Sequence, residues 1–463
     1  MSFTRALRVV GAAAAAGALL FAAAPTASAD QVRDDQWPLT AFSAEKVWGE
    51  ATGKGVTVAV IDGGFKTDHP DLAGQFLQGK DFVDGDTSVE PDSGQDKPEH
   101  GTAMAGIIAG HGHGHGHGAG GSAGVKGLAP DARLLGIRDE GDNKDGFAAS
   151  IKYAVDKGAS IINISQGGLD PENSQGNPAE REAISYALAH GVLVVAGSGN
   201  DGVGPEESRD FFPGAYPGVL TVGAIDGGGT IWKNSNYGSH LLLTAPGVKI
   251  VTAGLDSDGY DVNTGTSDAT AYVSAAAALL KQKFPDLTPG QLANRLAKTA
   301  GLPASARGAS LPDDHYGYGF IKPYSALTKN IPAGSKNGPL KVDALHASIA
   351  KDKGGDSLAP PSSSSGKASD SSDSGGMSTG LIVGIAAGVL VVLAIVVVVI
   401  VRSKKNNGGG PPPPPGGGWG GGGHAPYQGQ QYPAQQPNPY QQQAPAAPGS
   451  YPQAPMQPPY GQR

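Results

Sequence analysis

Between residues 55 and 300, short apolar runs alternate with stretches of helical spacing, and this alternation limits the chain to few architectures. Val56-Thr57-Val58-Ala59-Val60-Ile61, Ile161-Ile162-Asn163-Ile164, Val192-Leu193-Val194-Val195-Ala196 and Leu220-Thr221-Val222-Gly223-Ala224 read as strands apolar on both faces, so both faces need cover. Residues 148–157 and 178–189 have helical spacing, with Gly158 and Gly191 placed to end each helix. Strands that must be buried twice, separated by helices, predict an α/β fold with a mostly parallel sheet flanked by helices. In such folds the sites lie at the carboxyl ends of the strands.

The flanks do not follow this pattern. Residues 1–29 read as a secretory signal: Arg5 and Arg8, an alanine- and leucine-rich stretch, then Ala27-Ser28-Ala29 ahead of Asp30. Residues 30–54 form a short N-terminal extension, and the main domain is expected over 55–330. Residues 331–380 read as a linker, Ser-, Gly- and Asp-rich in its second half, and 381–401 are apolar without a charge. At about 1.5 Å per residue that span rises roughly 31 Å, the thickness of a bilayer core, and predicts one transmembrane helix. Arg402, Lys404 and Lys405 follow it, so residues 402–463, a Pro/Gly/Gln-rich tail expected to be disordered, are placed in the cytoplasm and the main domain outside. The predicted location is the cell membrane, single-pass. Cysteine is absent, which excludes disulfides and cysteine metal sites. A net charge of -8 without a long basic run argues against nucleic acid as a partner.

Three residues in this frame carry nucleophilic chemistry. Asp62 closes the first strand in Val-Ala-Val-Ile-Asp-Gly-Gly, where two glycines permit a sharp turn. His100 opens His-Gly-Thr-Ala-Met-Ala-Gly, whose small residues suit a closely packed helix. Ser267 lies in Gly-Thr-Ser-Asp-Ala-Thr, a glycine turn feeding a long apolar helix, where backbone N–H groups and the helix dipole favour a developing anion. A serine hydroxyl is a poor nucleophile until an imidazole takes its proton, and the imidazole needs a carboxylate to fix its tautomer. The order Asp, His, Ser matches one of the known triad arrangements, and no Gly-x-Ser-x-Gly elbow surrounds Ser267, which counts against a lipase or esterase.

These blocks, with Gly-Leu-Ala-Pro-Asp-Ala at 127–132, Asn-Ile-Ser-Gln-Gly-Gly at 163–168, Ala-Gly-Ser-Gly-Asn at 196–200 and Thr-Ala-Pro-Gly at 244–247, resemble the subtilase family over about residues 55–300. The resemblance implies a subtilisin-like three-layer fold and a serine endopeptidase acting on protein or peptide substrates without a required cofactor. It makes Asp62, His100 and Ser267 the triad, Asn200 the side-chain donor to the oxyanion, and Ser165, Gln166 and Gly167 the edge that pairs with an extended substrate. The layout is more narrowly similar to the mycosins, membrane-anchored subtilases of type VII secretion systems, which implies secretion-system components as partners. The chain departs from mycosins in lacking cysteine, in Ala271 where a proline is usual, and in Asp268 where an apolar residue is usual. A subtilase domain that is catalytically weak or silent and serves as a scaffold of a secretion complex is the alternative.

Two further clusters invite metal readings. His111, His113, His115 and His117 alternate with glycine, a spacing with no fixed geometry, and are expected to form a flexible surface insertion rather than a metal site. Asp81, Asp84, Asp86, Asp92 and Asp96 could hold calcium but do not match an EF-hand loop, so a solvated acidic loop is expected.

Overall fold

The computed structural model describes residues 31–92, 97–113, 123–169, 176–202, 210–255 and 259–354. The signal segment, the apolar span 381–401 and the tail lie outside the described residues. No helix among the described residues is long and apolar enough to cross a membrane.

Seven strands make one sheet: β1 (Thr57–Asp62), β2 (Lys80–Asp81), β3 (Arg133–Arg138), β4 (Ile161–Ile164), β5 (Leu193–Gly197), β6 (Leu220–Ile225) and β7 (Leu243–Pro246). Their spatial order is β7-β6-β5-β4-β1-β3-β2, and every pairing is parallel. The chain builds outward from β1 in both directions, so the strand order reverses beside it and leaves a crevice at its carboxyl end. The period of two along β1 assigns its side chains to two cores. Val58 and Val60 pack with α1 (His100–Ala109) and the central helix α4 (Thr266–Lys283). Ala59 and Ile61 face α2 (Ala148–Asp156) and α3 (Pro178–Ala189). The expected three layers result, a subtilisin-like α/β fold.

Local chemistry sets these helices. The Asn177 side chain accepts from Ala179 N at 2.9 Å ahead of Pro178, capping α3. Gly158 and Gly191, at φ +79° and +77°, follow the caps of α2 and α3. In α4 every residue from Thr266 to Leu280 is buried, and its run of alanines lets the sheet approach a central helix. Gly106 lets α1 come close to the strand Val248–Ala253, which lies outside this sheet, since a β-carbon there would lie 3.0 Å from that of Ala253.

Three expectations need correction, and the extension 30–54 gains detail: it forms helices Trp37–Phe42 and Ala44–Trp48, and Val47 is fully buried. Its Gln36 side chain bonds both to Lys126 N (2.9 Å) and to Lys126 O (3.1 Å), Trp48 Nε1 donates to Leu128 O (3.1 Å), and Phe42 stacks edge-on against Tyr272 at 5.5 Å. The start of the segment read as a linker is folded too. Residues Val342–Asp352 form α5, whose Leu345 is fully buried in the second core and whose Asp352 pairs with Arg181 at 2.8 Å. The histidine run begins as structure rather than as a flexible insertion: His111–His113 pairs antiparallel with Ala123–Lys126, and His113 Nδ1 bonds to buried Asp71 at 2.7 Å. His115 and His117 lie outside the described residues.

The acidic stretch is not simply solvated. Arg138, at the end of β3 and 2% exposed, bonds to Asp81 (2.7 Å), Asp84 (2.8 Å) and Asp92, so a guanidinium is the cation that gathers these carboxylates. Asp96 lies outside the described residues. Among the described residues no three His, Cys, Asp or Glu are grouped as a metal would need.

Candidate active site

Asp62 is the last residue of β1 and has no solvent exposure. A buried carboxylate needs partners, and it finds them in its own turn and in His100. Its Oδ1 accepts from Gly63 N at 2.9 Å, and His100 Nδ1 lies 2.8 Å from Oδ1 and 3.0 Å from Oδ2. His100 reaches this place because α1 starts flush against the turn. A β-carbon on Gly101 would fall 2.2 Å from Gly64 O, so only glycine lets the helix come this near. The turn itself is braced from three sides: Arg138 Nε donates to Gly63 O (3.1 Å), Asp139 N to Asp62 O (3.0 Å), and the Gln166 amide spans Gly63 N and Asp139 O at 2.9 Å each. Burial alone would push the His100 imidazole down, but the Asp62 charge and hydrogen bond, with a further pull from Asp268, hold it above its usual value.

Ser267 is the second residue of α4, whose start is stitched to the end of β4. Its Oγ donates to Ser165 O at 2.9 Å, and Ser165 Oγ donates back to Ser267 O at 3.1 Å. Two turns on, Ser274 Oγ donates to buried Asn163 at 2.8 Å. The Ser267 hydroxyl thus faces a carbonyl and makes no bond to His100, although both line one cleft of about 580 Å³. Asn200, beyond the end of β5, lines it as well. Its Oδ1 accepts from Thr266 N (3.0 Å) and Thr266 Oγ1 (2.9 Å), which commits the oxygen to the start of α4 and leaves the Nδ2 donor over. Ser165, Gln166 and Gly167 form one wall of the cleft, and Gly167 presses on Phe212, where a β-carbon would meet the carbonyl oxygen at 2.0 Å.

A family model described as the subtilase family matches residues 53–319. The chain belongs to the subtilase family. It is a subtilisin-like serine endopeptidase, and its sequence is 36% identical to the major intracellular serine protease of Bacillus subtilis (strain 168) over 247 residues, 52% of this chain and 73% of that one. Two solved structures of MycP1, one from Mycobacterium smegmatis and one described as from the ESX-1 type VII secretion system, each align at TM-score 0.54 and 31% identity, covering 66% of this chain and 88% of theirs.

In this subtilase the residue after Ser267 is the departure that the sequence already marks. Asp268 is 2% exposed, and its Oδ1 has no hydrogen-bond partner among the described residues. Burial pushes its carboxyl up to about 7, against the opposing pull of His100. A side chain on Gly265 would lie 3.6 Å from both Asp268 Oδ2 and Asn200 Nδ2, so carboxylate and amide flank the same glycine ahead of the serine. Tyr272, one turn further along α4, is also buried, its hydroxyl without a partner among the described residues, and burial raises its phenol. Arg138 was missed altogether, because its carboxylate partners lie 46 to 57 residues away in the chain.

Proposed function

We propose that this subtilase hydrolyses peptide bonds of proteins at the outer face of the membrane with Asp62, His100 and Ser267 as its triad. The observation that carries the reading is the Asp62–His100 pair at 2.8 Å, opening on a cleft that also holds Ser267 and Asn200. With Nδ1–H given to Asp62, Nε2 of His100 is the free base. Ser267 Oγ, turned from the Ser165 carbonyl by rotation about one bond, attacks the scissile carbonyl while Nε2 takes its proton. The same proton goes to the leaving amine as the C–N bond breaks, and water then releases the acyl group by the reverse sequence. Asn200 Nδ2 and the backbone N–H of Ser267 receive the oxyanion, and the 165–167 wall pairs with an extended substrate.

Outer-face action and single-pass anchoring rest on the signal-like residues 1–29 and the apolar span 381–401, and a type VII secretion context rests on the likeness to MycP1. A second reading, a silent scaffold of the same secretion complex, draws on the Ser267 hydroxyl facing Ser165 O instead of His100. A membrane-impermeant fluorophosphonate probe applied to intact spheroplasts separates the two. The wild type is expected to label and Ser267→Ala is not. Labelling only after lysis would refute the location, and equal labelling of the alanine variant would refute the nucleophile.

A further inference from the structure

Asp268 is a carboxylate that the proposed triad does not use. It sits in the first turn of α4 immediately after Ser267, nine-tenths and more buried, with one oxygen unpartnered among the described residues. It lines the cleft into which His100 opens. A carboxyl group placed there without full hydrogen bonding is costly unless a positive charge answers it. The groups that bear on it electrostatically can be named from each side. His100 on α1 attracts the charged form, Asp261 on the Tyr260–Thr264 strand repels it, and Tyr272 on its own helix is neutral. Lys97, also at the cleft, acts on His100 with the opposite sign to Asp268.

We propose that Asp268 is a second carboxylate partner of His100, acting through space on the imidazole that Asp62 holds by its Nδ1. It is a positioning residue that works through His100 by fixing the pH at which the base becomes available. The sign follows from the charges. Both groups line one cleft and carry opposite charges when ionised, so each favours the other's ionised form. An ionised Asp268 keeps His100 protonated to higher pH than Asp62 alone would. The neutral base therefore appears late, and the acid limb of activity is displaced toward alkaline pH.

This inference rests on the triad reading for its effect on turnover, and the test keeps the two apart. His100 is titrated by NMR in the full chain, its signal assigned by loss in His100→Gln, for the wild type and for Asp268→Asn, which keeps the shape and cannot ionise. The His100 pKa is expected to move down in the variant, and the acid limb of kcat/KM to move with it, so that activity at the acid end rises several-fold. Should Asp268→Asn not fold, Asp268→Ala is measured the same way. An unmoved imidazole titration overturns the inference even when Ser267-dependent labelling is intact. A downward shift in a chain that Ser267→Ala leaves equally labelled sustains it and sinks the triad instead.

Discussion

Asn200 is asked to do two things with one amide, and the two ends can be removed separately. Its Oδ1 holds Thr266 N and Oγ1 at 3.0 and 2.9 Å, which orders the start of α4, while Nδ2 is the proposed oxyanion donor. Asn200→Ala deletes both. Loss of the acceptor removes a helix-start contact worth about 0.5–2 kcal/mol, a drop of a few degrees in Tm for a domain of this size. Loss of the donor is larger, because it is felt where charge develops: removing one oxyanion donor, measured in subtilisin itself, costs about 10²–10³ in kcat, or roughly 2.7–4 kcal/mol. Asn200→Asp keeps the acceptor and loses the donor, so its Tm should stay near wild type while kcat falls at least as far as in the alanine variant. KM should change little in either, since the donor binds the transition state more strongly than the ground state. Steady-state kinetics on one chromogenic peptide, with calorimetry on the same samples, supply both numbers. An aspartate variant with wild-type kcat, or an alanine variant whose loss is confined to KM, would reduce Asn200 to a cap.

Two other substitutions probe the scaffold that holds Asp62. Arg138→Met leaves Asp81, 2% exposed, without its cation, and should cost about 3–5 kcal/mol by urea unfolding; a loss below about 1 kcal/mol would show that the cluster does not hold the loop. Gly101→Ala puts a methyl group 2.2 Å from Gly64 O, so α1 must retreat; overpacking of this kind costs about 1–3 kcal/mol, and kcat should fall with it. A variant with unchanged Tm and unchanged kcat would show that the closeness of α1 to β1 is dispensable.

Local pattern was enough for the elements buried on two sides. The sequence reading of 161–164 coincides with β4, and the other three apolar runs fall within one residue of β1, β5 and β6 at either end. The candidate site residues were legible for a related reason: each sits where an element ends, beside glycines that a turn or a close approach requires. What escaped depends on residues far apart in the chain. The strand β3 ends in an arginine, which in a short window looks like a boundary with solvent; only the carboxylates of a distant loop make its burial affordable. Asp268 stands out in sequence as a carboxylate where an apolar residue is usual, but the cleft that it shares with His100 is assembled from residues far apart in the chain. The direction of the Ser267 hydroxyl is a single torsion and leaves no trace in sequence at all. The helix 342–352 buries little beyond Val342 and Leu345, too sparse a stripe to stand out.

The N-terminal extension acts as a staple and not as a plug. Among the described residues none before Lys97 lines the candidate cleft, whereas Phe42 rests on Tyr272 of the helix that carries Ser267, Trp37 donates to Val248 O, and Trp48 carries Lys126 over its ring at 3.7 Å. Loss of the described residues of this segment takes nothing from the wall of the cleft and strips the back of α4. The helix that carries Ser267 and the two helices of residues 37–48 thus pack against one another. Local opening there is felt at Ser267 from behind, so losing the Trp37 and Phe42 contacts would loosen the helix that carries Ser267.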